Sequence, residues 1–238
     1  MRKSSRAFNY KFWIDFILPN RCPICGEVIV WNELICNKCE SQLSFMDEPF
    51  SPSEKIFSSN MDNICAVFDY KDNAAEGIYN LKTRKGLNFA EYSSEYLYKY
   101  ISENEISEKI DCVAFIPMAK TKRILRGYNQ AEKLAVFLAE KLEKPIMNDL
   151  LLHTAGASEQ HTLDYNQRQQ NAETIFKPDP KHSDIKDKSI LLCDDVVTTG
   201  ATMNKCGELL KSMGAKSVYG AAICSTNLRN PKVKEYKG

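Results

Sequence analysis

Hydrophobic residues recur along the chain in two patterns, and these patterns predict its strands and helices. Short apolar runs predict four buried strands, at Ile64–Tyr70, Asp111–Pro117, Ser189–Asp195 and Ser217–Cys224. Apolar residues three or four positions apart predict three helices, within Phe89–Tyr100, Ala131–Leu142 and Met203–Met213. Because strands alternate with helices, we predict an α/β fold with a mostly parallel sheet and helices on both of its faces.

The first 61 residues do not follow this alternation, so we predict a separate N-terminal part. Residues 1–20 have the apolar spacing of a short amphipathic helix that ends at Pro19. Two cysteine pairs follow within residues 21–40, and the polar residues after them show little periodicity. The predicted organisation is an N-terminal helix and cysteine module at 1–45, a linker at 46–61 and a main domain at 62–238.

The cysteine module has the ligand spacing of a zinc site. Cys22 and Cys25 form one Cys-x-x-Cys pair, Cys36 and Cys39 form a second, and Gly26 follows the first pair. Two such pairs supply four thiolates for a closed tetrahedral site. A redox dithiol or two unrelated pairs would use the same residues, but a redox pair does not explain a second copy beside it. We predict a structural Zn²⁺ site that has no open position for catalysis.

The composition suits a globular protein and argues against two other classes. Hydrophobic residues make up 43% and charged residues 26% of the chain, and the formal net charge of +1 excludes a nucleic-acid binder that is basic overall. No stretch approaches the ~20 apolar residues of a membrane helix, and signal-peptide features are missing, so we expect a cytoplasmic protein without a membrane span. The remaining cysteines fall at apolar positions and are expected to be reduced and structural: Cys65, Cys112, Cys193, Cys206 and Cys224.

The segment from Ile190 to Thr202 carries the most informative chemistry of the main domain. Its apolar residues would bring Asp194 and Asp195 to the carboxyl end of a buried strand, where open α/β sheets bind ligands. The small residues that follow would lead into a helix, whose first N–H groups and dipole favour a phosphate. Adjacent carboxylates beside such a pocket suit sugar hydroxyls, or Mg²⁺ bound through water. The alternative is a strand that ends in a capped turn, with Asp195 merely solvated.

This segment resembles the phosphoribosyl-pyrophosphate motif of type I phosphoribosyltransferases. More of the chain is similar to one branch, the ComF family of competence-related proteins. The similarity includes Cys22–Gly26 with the second cysteine pair, Arg126–Gln130 with the following Ala131, and the continuation of the Asp-Asp motif through Leu209–Lys216. It extends from about residue 13 to residue 226.

The resemblance implies a type I phosphoribosyltransferase fold and a role for each residue of the motif. Asp194 and Asp195 would bind the ribose 2- and 3-hydroxyls of phosphoribosyl pyrophosphate, which would bind together with Mg²⁺. The 5-phosphate would be bound by Thr198, Thr199, Gly200, Ala201 and Thr202. Pyrophosphate would contact a loop at 117–127 through Lys120, Arg123, Arg126 and Gly127. That loop contains no acidic residue, which independently suits a polyanion.

Two loops depart from the family pattern. Residues 153–160 lack two expected positive charges before Gln160, and Met118–Lys120 stands where a Pro- or His-rich run is usual. Both departures affect the handling of pyrophosphate. We therefore expect binding of a sugar phosphate and leave enzymatic turnover open.

Basic residues near aromatic ones suggest a nucleic-acid contact, although a solvated surface would have the same composition. The candidates are Lys82, Arg84, Lys85 and Lys122. We favour a ComF-like role in the uptake and handling of single-stranded transforming DNA, with competence-machinery proteins as further partners. Two alternatives remain: an active phosphoribosyltransferase of nucleotide metabolism, and a sugar-phosphate-sensing regulator that binds a protein partner through the zinc module.

Overall fold

The computed structural model describes residues 19–46, 60–83, 85–154, 175–180 and 184–226. Its strands are β1 (Asn63–Asp69), β2 (Cys112–Phe115), β3 (Leu151–His153), β4 (Phe176–Pro178), β5 (Ser189–Val197) and β6 (Ser217–Ser225). The helix predicted within residues 1–20 lies outside the described ranges except for its last two positions, and so do residues 47–59 of the predicted linker.

A parallel sheet in the order β1-β6-β5-β2 forms the centre of the protein. Each of its three strand pairings is parallel, whereas β3 and β4 form a separate antiparallel pair. All four predicted strands are therefore confirmed. The strand β5 continues two residues beyond the predicted end at Asp195, which places both aspartates within the strand.

Helices cover the sheet on both faces, as predicted. They are α1 (Asn37–Glu40), α2 (Asp72–Lys82), α3 (Leu87–Glu103), α4 (Lys120–Arg126), α5 (Gln130–Leu142) and α6 (Ala201–Ser212). The three helices predicted in the main domain are confirmed as α3, α5 and α6, while α1, α2 and α4 are additional to the prediction. Within the described ranges, none of the helices has the length and apolar character that a membrane crossing requires.

Two apolar clusters lie on opposite faces of the sheet because successive strand residues point to opposite sides. In β1, Cys65 and Val67 pack in one cluster with α2, α3 and α5, while Ile64 and Ala66 pack in the other with α6 and the β3–β4 pair. This explains why the strands are continuously apolar: both faces are covered.

The five cysteines outside the module are buried and have free thiols, as expected. Burial raises the pKa of Cys65 to about 12 and the pKa of Cys112 to about 11. Both thiols therefore stay protonated at neutral pH and act as small apolar side chains.

Helix α2 packs closely against α3, and this contact depends on a glycine. A Cβ atom at Gly77 would lie 2.7 Å from the ring of Phe89, which is fully buried. Ala74, Ile78 and Leu81 bury the same face of α2 at helical spacing. Glycine has a low helix propensity and no apolar side chain, so it interrupts the helical pattern of this segment, and the sequence does not predict α2.

The cysteine module packs on the main domain and contributes to its core. Ile24, Ile29 and Ile35 belong to the same apolar cluster as α2 and α3. Just after the module, Phe45 forms an antiparallel bridge with Phe68 of β1. The predicted boundaries at 45 and 61 stay predictions.

Candidate functional site

Two adjacent carboxylates lie near the carboxyl end of the central strand β5. Asp194 and Asp195 are partly exposed, and the backbone N–H of Asp195 donates to Asp194 Oδ1 at 2.8 Å. Burial raises the pKa of Asp194 well above its ordinary value, and the neighbouring charge of Asp195 raises it further. The Asp194 carboxyl is therefore harder to ionise than an ordinary aspartate, although the N–H of Asp195 and the charge of Lys82 oppose this rise in pKa.

The loop after β5 leads directly into α6 at the same edge of the sheet. Gly200 has φ +74°, a left-handed conformation that glycine adopts without strain, and α6 begins at the next residue. As a glycine, it offers no side-chain acceptor to the start of α6, and the first N–H of the helix, that of Ala201, donates to Thr199 Oγ1 at 3.4 Å. A phosphate at this helix start would replace this long bond and accept from the N–H groups that follow. The neighbouring loop and helix residues are exposed: Thr198, Thr199, Ala201 and Thr202.

A lysine from another helix pairs with the second carboxylate. Lys82, the last residue of α2, has its Nζ 3.2 Å from Asp195 Oδ2. The two side chains are 31% and 18% exposed, so solvent screens the pair only in part. Lys82, which the sequence predicts as a nucleic-acid contact, lies in the fold at the predicted sugar-phosphate site.

The predicted pyrophosphate loop at 117–127 contains the short helix α4, of which no residue is buried. Gly127 ends this helix with φ +81°. Lys120 is exposed at its start, whereas Arg123 pairs with Glu132 of α5, Nη2 to Oε2, at 3.0 Å. The loop itself contains no acidic residue, but the first turn of α5 returns alongside α4 and brings Glu132 to Arg123.

Two residues after α4 attach this segment to the body of the protein. The buried Asn129 donates to the carbonyl of Ile116 at 2.8 Å, and its Oδ1 accepts from the N–H of Ala131 at 3.1 Å. The hydroxyl of Tyr128 donates to the carbonyl of Leu81 in α2. The Arg126–Gln130 motif thus has a structural role, since it holds α4 between β2 and α2.

A cavity of about 460 Å³ opens between α2 and α4, and its lining residue Lys82 pairs with Asp195. It is lined by Tyr79, Lys82, Thr83, Leu125 and Arg126. Tyr79 and Leu125 were missed in the sequence, because an exposed apolar residue has no periodic pattern of its own. The four predicted nucleic-acid residues do not all meet here: only Lys82 lines the cavity, Lys85 and Lys122 are exposed, and Arg84 lies outside the described residues.

The cysteine module brings its four sulfurs together. The Sγ atoms of Cys22, Cys25, Cys36 and Cys39 all lie within 4.8 Å of one another, and the Cys25–Cys36 pair is 3.7 Å apart. A tetrahedral Zn²⁺ with bonds of about 2.3 Å requires sulfurs about 3.8 Å apart, so the four cysteines fit this ion. They would hold it through thiolates, and no position would remain for a substrate.

The local backbone explains how the sulfurs converge. Gly26, at φ +76°, closes a turn in which its N–H donates to the carbonyl of Cys22 at 2.9 Å. On the other side, Cys36 precedes α1 and Cys39 lies within it. Burial raises the pKa of Cys22, but hydrogen bonds from backbone N–H groups outweigh this effect and lower it to about 7. This favours the thiolate of Cys22, whereas burial raises the pKa of Cys25 and of Cys39, so a metal would displace protons from those two thiols.

Family models match both parts of this arrangement. A double zinc ribbon domain matches residues 13–53, and a phosphoribosyl transferase domain matches residues 130–237. Among relatives, competence protein F of Haemophilus influenzae is 29% identical over 43% of this chain and 45% of its own length, so the match spans less than half of that relative. DNA utilization protein YhgH of Escherichia coli is 24% identical over 86% of this chain and 84% of its own.

These two models and these relatives together support a ComF family assignment.

The ComF assignment agrees with the fold: a type I phosphoribosyltransferase domain with an N-terminal four-cysteine zinc module. A purine phosphoribosyltransferase from Pyrococcus horikoshii aligns with 19% identity and a TM-score of 0.35, over 60% of this chain and 76% of that structure. The zinc model is named for a double ribbon, whereas the part of this ComF chain that the structure describes holds one four-cysteine group.

Proposed function

We propose that this ComF-family protein binds a phosphoribosyl pyrophosphate-type sugar phosphate at residues 194–202. The arrangement that carries the proposal is two adjacent carboxylates at the end of β5, followed at once by the glycine-capped start of α6. Asp194 and Asp195 would accept hydrogen bonds from the ribose hydroxyls, while the N–H groups at the start of α6 would donate to the 5-phosphate.

The pyrophosphate group would extend toward α4 and its following glycine. Lys120, Arg126 and Gly127 are the candidates for this contact, and Arg123 would first have to leave Glu132. Mg²⁺ would be held with the sugar phosphate beside Asp194 and Asp195, where it would neutralise part of the pyrophosphate charge. A cation at this position would also favour the ionised form of Asp194.

We further propose that the protein takes part in the handling of single-stranded DNA during competence, with the sugar-phosphate site in support. The printed names of two relatives, a competence protein and a DNA utilization protein, favour this role. Exposed lysines on α4 and after α2 supply positive charge for a nucleic-acid backbone. Competence proteins are the proposed protein partners.

Calorimetric titration with phosphoribosyl pyrophosphate and Mg²⁺ tests the site. The double variant Asp194→Asn/Asp195→Asn should lose binding and keep its zinc, because the module lies elsewhere in the fold. Asp184→Asn is the matched control, since its carboxylate is 99% exposed and precedes the opposite end of β5. Retained binding by the double variant would refute the site assignment.

Transfer of the ribosyl group to an acceptor is a second candidate, favoured by the cavity that Lys82 lines. In that reaction the acceptor nitrogen forms a bond to the ribose C1, and the bond to pyrophosphate breaks. Pyrophosphate release from the sugar phosphate, measured with each nucleobase offered in turn, tests it. Release that disappears in the double variant would support a transferase; binding without release would leave only the binding role.

A further inference from the structure

The cavity between α2 and α4 has the features of a site for a nucleotide within a strand. Its volume of about 460 Å³ falls within the range of ligand pockets, about 300–1,000 Å³. It opens to solvent, because two of its lining side chains are largely exposed: Tyr79 at 61% and Leu125 at 83%. An open site lets a polymer enter and leave, whereas a free base is usually enclosed.

The apolar side chains that line the cavity are not covered by any part of the chain that the structure describes. Tyr79 presents an aromatic ring from α2, and Leu125 faces the same cavity from α4. Ile124, next to Leu125, is also more than four-fifths exposed, so α4 carries an exposed apolar pair. Exposed apolar groups rimmed by charge mark binding surfaces, and an aromatic face suits a stacked base.

The charged lining is positive and lies next to the sugar-phosphate site. Lys82 and Arg126 line the cavity, and Lys82 also pairs with Asp195. Arg126 donates from Nη1 to Gln130 Oε1 at 3.3 Å, a contact that holds its guanidinium group at the cavity wall. Further lysines are exposed on the elements that flank the opening, at 85, 120 and 122. Two cations beside an aromatic ring complement a phosphate and the base attached to it.

We propose that this cavity binds one nucleotide unit of single-stranded DNA, with the base against Tyr79 and Leu125 and the adjacent phosphate on Lys82 and Arg126. The choice of DNA rests on the proposed function, while the position of the contact does not. Because Lys82 serves both sites, the strand lies next to the sugar phosphate and shares a cation with it.

Fluorescence anisotropy of a labelled oligodeoxythymidine strand at low salt tests the contact. Tyr79→Leu should weaken binding by about 5- to 100-fold, the effect of one lost stacking contact. It should leave binding of a strand made of abasic residues unchanged. Lys82→Met should make the plot of log K against log salt concentration less steep by about 0.7, as expected for one lost phosphate contact.

Matched controls lie away from the cavity. Tyr98→Leu removes another exposed tyrosine, on α3, and Lys109→Met removes an exposed lysine before β2; both should bind like the wild type. Zinc content and the thermal midpoint should be unchanged in all four variants, which separates lost contact from misfolding.

The outcomes distinguish this inference from the function on which it rests. If the wild type binds the strand and the cavity variants bind like their controls, the inference fails and the DNA role stands. If the wild type does not bind at low salt, both fail. If free thymine displaces the strand at equal concentration, the cavity is an acceptor pocket and the inference is overturned.

Discussion

The cysteine module and the proposed sugar-phosphate site at Asp194 and Asp195 are built by the chain in opposite ways. The module takes its four ligands from residues 22–39, and its turns bring the sulfurs together locally. The proposed sugar-phosphate site combines β5 and α6 with Lys82, which lies more than 100 residues earlier in the chain. A local site is visible in residue spacing, whereas an assembled site depends on which elements the sheet places side by side.

The two sites also differ in what they leave open. Four thiolates would occupy every coordination position of a tetrahedral Zn²⁺, so the module has a structural role. The other site keeps exposed donors, partly exposed carboxylates and an adjacent cavity. We therefore expect substitutions in the module to lower stability, and substitutions at Asp194 and Asp195 to weaken ligand binding.

The largest effect is expected from loss of a zinc ligand. Cys39→Ser should remove the metal and lower the free energy of unfolding by several kcal/mol, because metal binding supplies much of the folding free energy of small zinc modules. The module also shares a core with α2 and α3, so the loss should extend beyond it. Zinc analysis and chemical denaturation measure both effects, with the exposed neighbour Lys38→Ser as control. A fully stable, zinc-free variant would contradict the structural role.

A substitution in α2 should affect the assembled site and leave the local one intact. Gly77→Ala adds a Cβ 2.7 Å from the Phe89 ring, and we expect a loss of about 1–3 kcal/mol from overpacking. Because α2 carries Lys82, the affinity for sugar phosphate should fall while zinc is retained. Gly26→Ala is a comparison within the module: no atom lies within 4 Å, and its cost of about 1–2 kcal/mol would come from φ +76°. If both variants weakened sugar-phosphate binding equally, the distinction between the local and the assembled site would be contradicted.

The carboxylate pair should give the proposed sugar-phosphate site a pH dependence. The pKa of Asp194 is raised by burial in the folded state, so between its ordinary value of 3.8 and that raised value the folded protein binds more protons than the unfolded chain. Stability from this group therefore falls as the pH rises through that window. Asp194→Asn should be more stable than the wild type at pH 7, and the difference should disappear below about pH 4. Denaturation at both pH values measures this; the opposite sign would indicate a depressed pKa.

The smallest effect on stability is expected from the shared lysine. Lys82→Met removes a partly exposed ion pair, which should change the free energy of unfolding by less than about 1 kcal/mol. Its effect on the affinity for single-stranded DNA should be larger than its effect on stability, since Lys82 lines the cavity and is not part of the core. Thermal unfolding and calorimetric titration of the same sample compare the two.

Much of the fold follows from sequence patterns, for identifiable reasons. The four central strands are continuously apolar because both faces of the sheet are covered, and α3, α5 and α6 have clear periodicity. Helix α2 was missed because Gly77 interrupts its pattern, and α4 because it buries no residue.

The candidate site was predictable only where its residues are consecutive. The Asp194–Thr202 segment combines a strand end, a glycine and a helix start, and each of these has a sequence signature. The contact between Lys82 and Asp195 has no sequence signature, because it depends on the order of the strands in the sheet, in which β6 lies between β1 and β5. The cavity residues Tyr79 and Leu125 have no signature either, because an exposed apolar residue has no periodic pattern of its own.

A structure of the protein with phosphoribosyl pyrophosphate and Mg²⁺ tests the central claim most directly. We predict the 5-phosphate at the start of α6, the ribose hydroxyls on Asp194 and Asp195, and Lys82 turned from Asp195 toward the cavity. A sugar phosphate bound elsewhere, with Lys82 still paired to Asp195, would contradict the account.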